Sequence, residues 1–259
     1  MDLGRSAVQV AIMTPNPSVI VFAGNSGLGL SVVSSLIESN QWNVIATYRQ
    51  DKTLLVETFA QHGINSDNCI HQVELTDGDA VSAFCESMSE VHNIWGVVNC
   101  CGEATAKTLK KLTMEEIYSS FASNVIPAVN ITKSAMSVLS GKLALGGRII
   151  HLSSVLVRRP VLGVVPYVMS KAAIEGLVRS SAIELGKNKV TINALRLGYF
   201  DRGMATRDVP IELLTEVSKQ TAVKALGNPA NLFAAINYLL STDAAYQTGS
   251  VIDRDGGLV

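Results

Sequence analysis

Ser18-Val19-Ile20-Val21-Phe22-Ala23-Gly24-Asn25-Ser26-Gly27-Leu28-Gly29 runs from a short apolar segment into a glycine-rich turn, and amphipathic sequence follows. A brief Val/Ile-rich run bounded by glycine reads as a strand buried on both faces. Small residues let the turn close tightly and let its backbone approach an anion. The next helix then points its free N–H groups at that anion. Gly24, Asn25, Ser26, Gly27, Leu28 and Gly29 are therefore expected to line a dinucleotide phosphate site. A plain strand-to-helix turn would also use glycines, and it is the place after the first strand that favours the nucleotide.

Outward from this turn, short apolar runs alternate with longer amphipathic ones. Strands are predicted at 18–23, 43–47, 69–73, 94–99, 148–152, 190–195 and 251–253. Helices are predicted near 28–40, 51–62, 77–92, 113–141 (as two helices), 167–186 and 231–240. This β-α alternation implies α/β architecture: one doubly wound domain over 18–259, with a central parallel sheet of about seven strands and helices on both faces. Residues 1–17, ending in Pro15 and Pro17, are expected to be a loosely held leader. The segment 199–223 is expected to form a lid over the substrate.

The composition limits the partners. Of 259 residues, 47% are hydrophobic and 17% charged, so a large core is available. A net charge of −1 lacks the basic surplus of a nucleic-acid binder. No apolar run is long enough to span a bilayer, and no membrane partner is expected. The four cysteines (Cys69, Cys85, Cys100, Cys101) have no metal-site spacing. They read as reduced thiols in a cytoplasmic protein, with no metal.

The second predicted strand ends in Thr47-Tyr48-Arg49. A carboxylate there would accept from an adenosine ribose hydroxyl and repel a 2′-phosphate. Arg49 instead suits a phosphate, so NADP(H) is expected over NAD(H).

Tyr167 and Lys171 lie four apart in Tyr-Val-Met-Ser-Lys, on one face of a helix. At ~4 Å and an effective dielectric of ~20, their attraction is about 4 kcal/mol. That predicts a Tyr167 phenol titrating below its usual value, fit to exchange a proton with an alkoxide or alcohol. Ser154 follows the 148–152 strand at its carboxyl end, where open α/β sheets place their active sites. Its hydroxyl can donate to a substrate oxygen.

Taken together these residues identify the chain as resembling the short-chain dehydrogenases/reductases, most closely their β-ketoacyl-carrier-protein reductases and similar ketoreductases. The resemblance runs from Ser18 to Gly257. It rests on the loop at 23–29, Asn99-Cys100-Cys101-Gly102, Asn124, Ser154, Tyr167, Lys171 and Asp255-Gly256-Gly257, in family order and spacing. It implies a Rossmann-type fold and catalysis by Ser154, Tyr167 and Lys171, with Asn124 supporting a proton-relay water. Lys171 would also hold the nicotinamide ribose. Glu74, Leu75, Asn99, Gly102, Gly198 and Arg202 would border the cofactor. The implied reaction is hydride transfer to a small or carrier-linked carbonyl by a homotetramer or homodimer. An alcohol dehydrogenase running oxidatively and a silent dinucleotide-binding regulator are the alternatives.

Several positions depart from the family pattern. Phe22-Ala23 replaces Thr-Gly, Glu74 replaces Asp, Cys100-Cys101 replaces Asn-Ala, Leu197 replaces Pro and Arg202 replaces Thr. Arg202 has three possible partners: a neighbouring carboxylate (Asp201 or Asp208), the cofactor pyrophosphate, or an acidic substrate group.

Overall fold

A computed structural model describes residues 16–139 and 146–258. Its centre is a seven-stranded parallel sheet in the order β3-β2-β1-β4-β5-β6-β7. The strands are β1 (Ser18–Phe22), β2 (Asn43–Tyr48), β3 (Ile70–Gln72), β4 (Ile94–Asn99), β5 (Arg148–Ser154), β6 (Thr191–Leu197) and β7 (Val251–Arg254). The longest register joins β5 to β6, from Arg148↔Thr191 to Ser154↔Leu197. β1, β4, β5 and β6 are buried along their whole lengths, which explains their apolar rather than alternating sequences.

Helices cover both faces. On one lie α1 (Gly27–Glu38), α2 (Thr53–Gln61) and α8 (Pro229–Leu240), which bury Val33, Leu36, Phe59 and Leu239 against the sheet. On the other lie α3 (Gly78–Val91), α4 (Met114–Leu139) and α5 (Val165–Gly186), which contribute Phe84, Ile131, Val178 and Leu185. Each such side chain contributes about 1.5–3 kcal/mol by leaving water. Two short helices, α6 (Met204–Asp208) and α7 (Ile211–Gln220), lie within the expected lid segment.

The expectation of two helices over 113–141 is corrected: Met114–Leu139 is one helix with Pro127 in its interior. An interior proline costs about 3 kcal/mol. Pro127, Ala128, Ile131 and Ala135 are all buried, and that burial offsets the lost backbone bond. Residues 140–141 of that prediction, and 1–15 of the leader, lie outside the described residues. β5 extends two residues beyond its predicted end, so Ser153 and Ser154 are strand residues, while β3 is shorter than predicted.

Candidate active site

β1 pairs with β2 on one side and β4 on the other, so successive crossovers leave it in opposite directions. The crevice at such a switch point is the natural ligand site of a doubly wound sheet. Here it is a cleft of about 630 Å³, lined by the 23–30 loop, Gly102, the ends of β5 and β6, and residues of the lid.

The loop after β1 is pinned to β2. Ala23 N–H donates to Thr47 Oγ1 at 3.1 Å, and Gly24 N–H donates to Thr47 O at 3.0 Å. Ala23 itself adopts φ +56°, a left-handed conformation that disfavours a side chain. A Cβ on Gly29 would lie 2.2 Å from Ala23 O, so only glycine lets α1 begin this close to the strand. Gly27 has φ +53°, and a Cβ there would meet Gly203 Cα at 3.0 Å; the lid backbone rests on the loop. Ser26 precedes α1 with its hydroxyl unspent on the helix. Asn25 reaches sideways, its Nδ2 donating to Asp51 O at 3.1 Å, while Leu28 lines the cleft. This cradle of bare backbone at a helix N-terminus fits a pyrophosphate.

On the adenosine side, Arg49 forms an exposed 3.6 Å ion pair with Glu103. Glu74 Oε1 accepts from Thr76 Oγ1 at 2.7 Å and Thr76 N at 3.1 Å, which holds the carboxyl below its usual range. That oxygen is spent locally, so Oε2 is the one open to an adenine. Leu75 contributes backbone, its carbonyl accepting from Asn130 Nδ2 at 3.0 Å.

At the other end of the cleft, Tyr167 and Lys171 project from the first turns of α5, and Ser154 ends β5. The Ser154 hydroxyl hydrogen-bonds the Tyr167 phenol. Its oxygen also accepts from Leu156 N at 3.2 Å, which fixes the serine rotamer. Lys171 Nζ donates to Leu152 O at 2.9 Å and Cys101 O at 3.0 Å, and lies 5.8 Å from the centroid of the Tyr167 ring.

The expected lowering of the Tyr167 pKa is corrected. Burial raises it, partly offset by the Ser154 hydrogen bond, and Tyr199 pushes it up further. Lys171 turns its ammonium to two carbonyls and the ring face, so burial, not the attraction assumed from sequence spacing, sets the resting phenol. Burial also brings Lys171 itself down to about 8.

Asn124 is fully buried and spends both ends of its amide on Glu103: Oδ1 accepts from Glu103 N at 2.8 Å and Nδ2 donates to Glu103 O at 2.9 Å. It braces the chain just beyond Gly102. A Cβ on Gly102 would lie 3.2 Å from Lys171 Nζ, so that glycine leaves room for the ammonium. Asn99 supports the cleft wall from behind, accepting from Cys101 N at 2.9 Å. Gly198 allows β6 to end against β7, since its Cβ would meet Asp255 Cα at 2.7 Å. Arg202 is exposed at the cleft mouth. Arg207 holds Asp208 through two hydrogen bonds of 2.7 and 2.8 Å, which removes Asp208 as the Arg202 counter-ion.

Two features escape a reading of the sequence. Tyr199, half-buried in the cleft, acts electrostatically on Tyr167. Glu175, one helical turn beyond Lys171, is gripped by Arg196 through bonds of 2.9 and 2.7 Å and by Ser153 Oγ at 2.9 Å. Arg196 continues to Asp253 at 2.8 Å, and Asp253 to Arg158 at 2.6 Å. This chain of charges ties α5 to the ends of β5, β6 and β7. The four-residue step from Lys171 to Glu175 was visible; the partners come from strands distant in sequence.

The comparisons with known proteins agree with this fold. A family model described as enoyl-(acyl carrier protein) reductase matches residues 22–259. A Mycobacterium avium protein named 3-oxoacyl-[acyl-carrier-protein] reductase MabA is 30% identical over 93% of this chain and 89% of its own length. A Staphylococcus aureus 3-oxoacyl-[acyl-carrier-protein] reductase FabG is 28% identical over 95% of this chain and 99% of its own. Among solved structures, a short-chain dehydrogenase/reductase from Serratia marcescens superposes with a TM-score of 0.83 at 24% identity, covering 95% of this chain and 99% of its own. A match spanning nearly the whole chain, on a parallel sheet whose switch-point cleft gathers Ser154, Tyr167 and Lys171, places the protein: the chain belongs to the short-chain dehydrogenase/reductase family.

Proposed function

We propose that the protein is an NADP(H)-dependent reductase of a ketone or 3-oxoacyl thioester, with Tyr167 as general acid. The observation that carries this reading is the contact of a buried Tyr167 phenol with Ser154 beside the Lys171 ammonium. The bound dinucleotide supplies the hydride. Ser154 donates to the carbonyl oxygen and holds it against Tyr167. As negative charge develops there, Tyr167 passes its proton to that oxygen, and the Lys171 cation lowers the cost of the phenolate left behind. Asn124 keeps the loop after Gly102 in place while this happens.

The raised pKa of Tyr167 suits the phenol to the general-acid role in reduction. A phenol that stays protonated at neutral pH is ready to give a proton, whereas oxidation needs a phenolate first. Arg49, with only an exposed 3.6 Å partner, is free to turn to a 2′-phosphate. Arg202 is assigned to the cofactor's pyrophosphate side, because among the described residues no ion pair joins it to Asp201, Asp208 is held by Arg207, and the adjoining Gly203 backbone lies on the phosphate loop. A carrier-linked substrate is supported by the names of the relatives, a homotetramer or homodimer by the family resemblance, and a cytoplasmic location by the four free cysteines.

The decisive experiment follows NADPH absorbance with acetoacetyl thioesters, simple ketones and a 2-enoyl thioester. Turnover on a 3-oxo thioester or ketone is expected. Turnover confined to the enoyl compound would move the site to carbon–carbon reduction. Dinucleotide binding without turnover on any of them would favour the regulator.

A further inference from the structure

Behind the cleft wall, a line of buried polar groups runs from α4 to Lys171. His151 stands in its middle, on β5 and paired in register with Asn99 of β4. Its side chain is 0% exposed, and burial first, then the nearby Lys171 ammonium, push its pKa down to about 3. A neutral imidazole has one donor and one acceptor, so its hydrogen-bond partners determine the tautomer.

Those partners leave one assignment. Asn99 Oδ1 accepts from Cys101 N at 2.9 Å, so the amide turns Nδ2 toward His151 Nδ1, 3.0 Å away. Nδ1 must therefore accept, and the ring proton sits on Nε2. Nε2 faces Thr132 Oγ1 at 2.9 Å, and Thr132 donates onward to Ala128 O at 2.7 Å. At the other end, the Cys101 carbonyl accepts from Lys171 Nζ at 3.0 Å. Each contact in the line then pairs one donor with one acceptor, and every side chain in it is buried. The line engages Cys101 only through its backbone, so the thiol that departs from the family's alanine leaves it intact.

We propose that His151 is a positioning residue for Lys171: by fixing the Asn99 amide it fixes the Cys100-Cys101-Gly102 backbone, and so the carbonyl that aims the ammonium beneath Tyr167. This rests on the reading of Lys171 as part of the reductase site. An apolar residue at 151 would fill the space. It would leave Asn99 Nδ2 without an acceptor in a dry interior, and the amide would then rotate or shift to find one. A displacement of the Lys171 aim by a fraction of an ångström acts on rate rather than on substrate binding.

Three variants and two kinds of readout test this. His151→Leu removes both contacts. His151→Asn places an amide oxygen near the old Nδ1 and keeps the acceptor for Asn99. Thr132→Val removes only the far partner. In 15N-histidine spectra of the full chain, which has four histidines, one neutral Nε2–H ring that does not titrate from about pH 5 to 9 is expected. It should vanish in His151→Asn. In 13C-lysine spectra the Lys171 midpoint, about 8, should fall in His151→Leu and hold in His151→Asn, because the ammonium keeps or loses an acceptor. With an active carbonyl substrate, kcat should drop about tenfold or more in His151→Leu with KM nearly unchanged, and stay within about threefold in His151→Asn. An Nδ1–H tautomer overturns the proposal. So does a folded His151→Leu protein with an unmoved Lys171 midpoint and normal kcat. Absence of turnover by the unmodified protein would refute the reductase reading instead, and the lysine midpoints alone would then decide the positioning role.

Discussion

Tyr167 and Lys171 show how burial sets chemistry one residue at a time. The phenol is kept protonated and the ammonium is loosened, both by loss of water. Tyr167→Phe removes the transferable proton and little else. It should keep the dinucleotide dissociation constant within about twofold and lower kcat by 10²-fold or more, on the scale of general-acid catalysis. Stopped-flow and equilibrium titration check both numbers, and a near-normal kcat would end the proposed role. Lys171 also makes a pH prediction for the cofactor-free protein. Its folded pKa of about 8 lies below the model-compound value of 10.5. Between those values the unfolded chain holds a proton that the folded chain has released, so this group's contribution to stability rises with pH across that window. Its full span is on the order of 3 kcal/mol. Melting temperatures of wild type and Lys171→Met should therefore differ most below pH 8 and converge toward pH 10, with Lys171→Met the more stable at the lower pH. Buried thiols such as Cys85 and Cys101, both pushed up to about 12, titrate in both proteins and cancel in that difference.

Between residue and domain, the elements explain what was legible in the chain and what was not. The strands could be read because burial on both faces demands runs of Val and Ile, and the phosphate loop because its close contacts demand small residues, glycine at 27 and 29. α4 runs on as one helix through Pro127 because Ile131 and Ala135 are buried beyond it, and that burial is set by tertiary contacts. The protonation of Tyr167 was misjudged because four-residue spacing gives neighbourhood, not the direction of a side chain. His151, Thr132 and Tyr199 passed unnoticed for the same reason: their partners are set by tertiary pairing. The loop itself offers a test. Gly29→Ala puts a methyl against Ala23 O and should abolish dinucleotide binding, with a loss of stability of several kcal/mol. Ala23→Gly relieves a left-handed alanine at some cost in unfolded-chain entropy. It should raise stability by roughly 0.5–1 kcal/mol in urea melts with binding preserved. At the end of β2, Arg49→Asp should erode or reverse a preference for NADPH over NADH, by losing a charge-assisted pair and adding repulsion. Equal affinity of the unmodified protein for the two would refute the cofactor assignment.

The molecule as a whole carries apolar surface that its own core does not use. On α4, Tyr118, Ala122, Ile126 and Val129 follow one another at four- and three-residue steps along an exposed face, Tyr118 at 66% exposure. On the neighbouring α5, Met169 and Ile183 are also open, the latter at 83%. The family resemblance implies a homotetramer built from these two long helices and the C-terminal segment. An exposed apolar stripe of this length is costly for a monomer and typical of a self-complementary helix interface. Asn124 of α4 and Tyr167 and Lys171 of α5 are buried, away from these exposed positions, so pairing copies through these faces would stiffen α5 without blocking the cleft. Light scattering at micromolar concentration should give a dimer or tetramer. The double substitution Ile126→Glu and Val129→Lys, which buries two charges in any such interface, should lower the mass by at least half while leaving the far-ultraviolet spectrum unchanged. Turnover should fall less steeply than mass, because Ser154, Tyr167 and Lys171 all come from one chain. A monomeric wild type would refute the assembly, and a double variant that keeps its full mass would show that copies meet elsewhere.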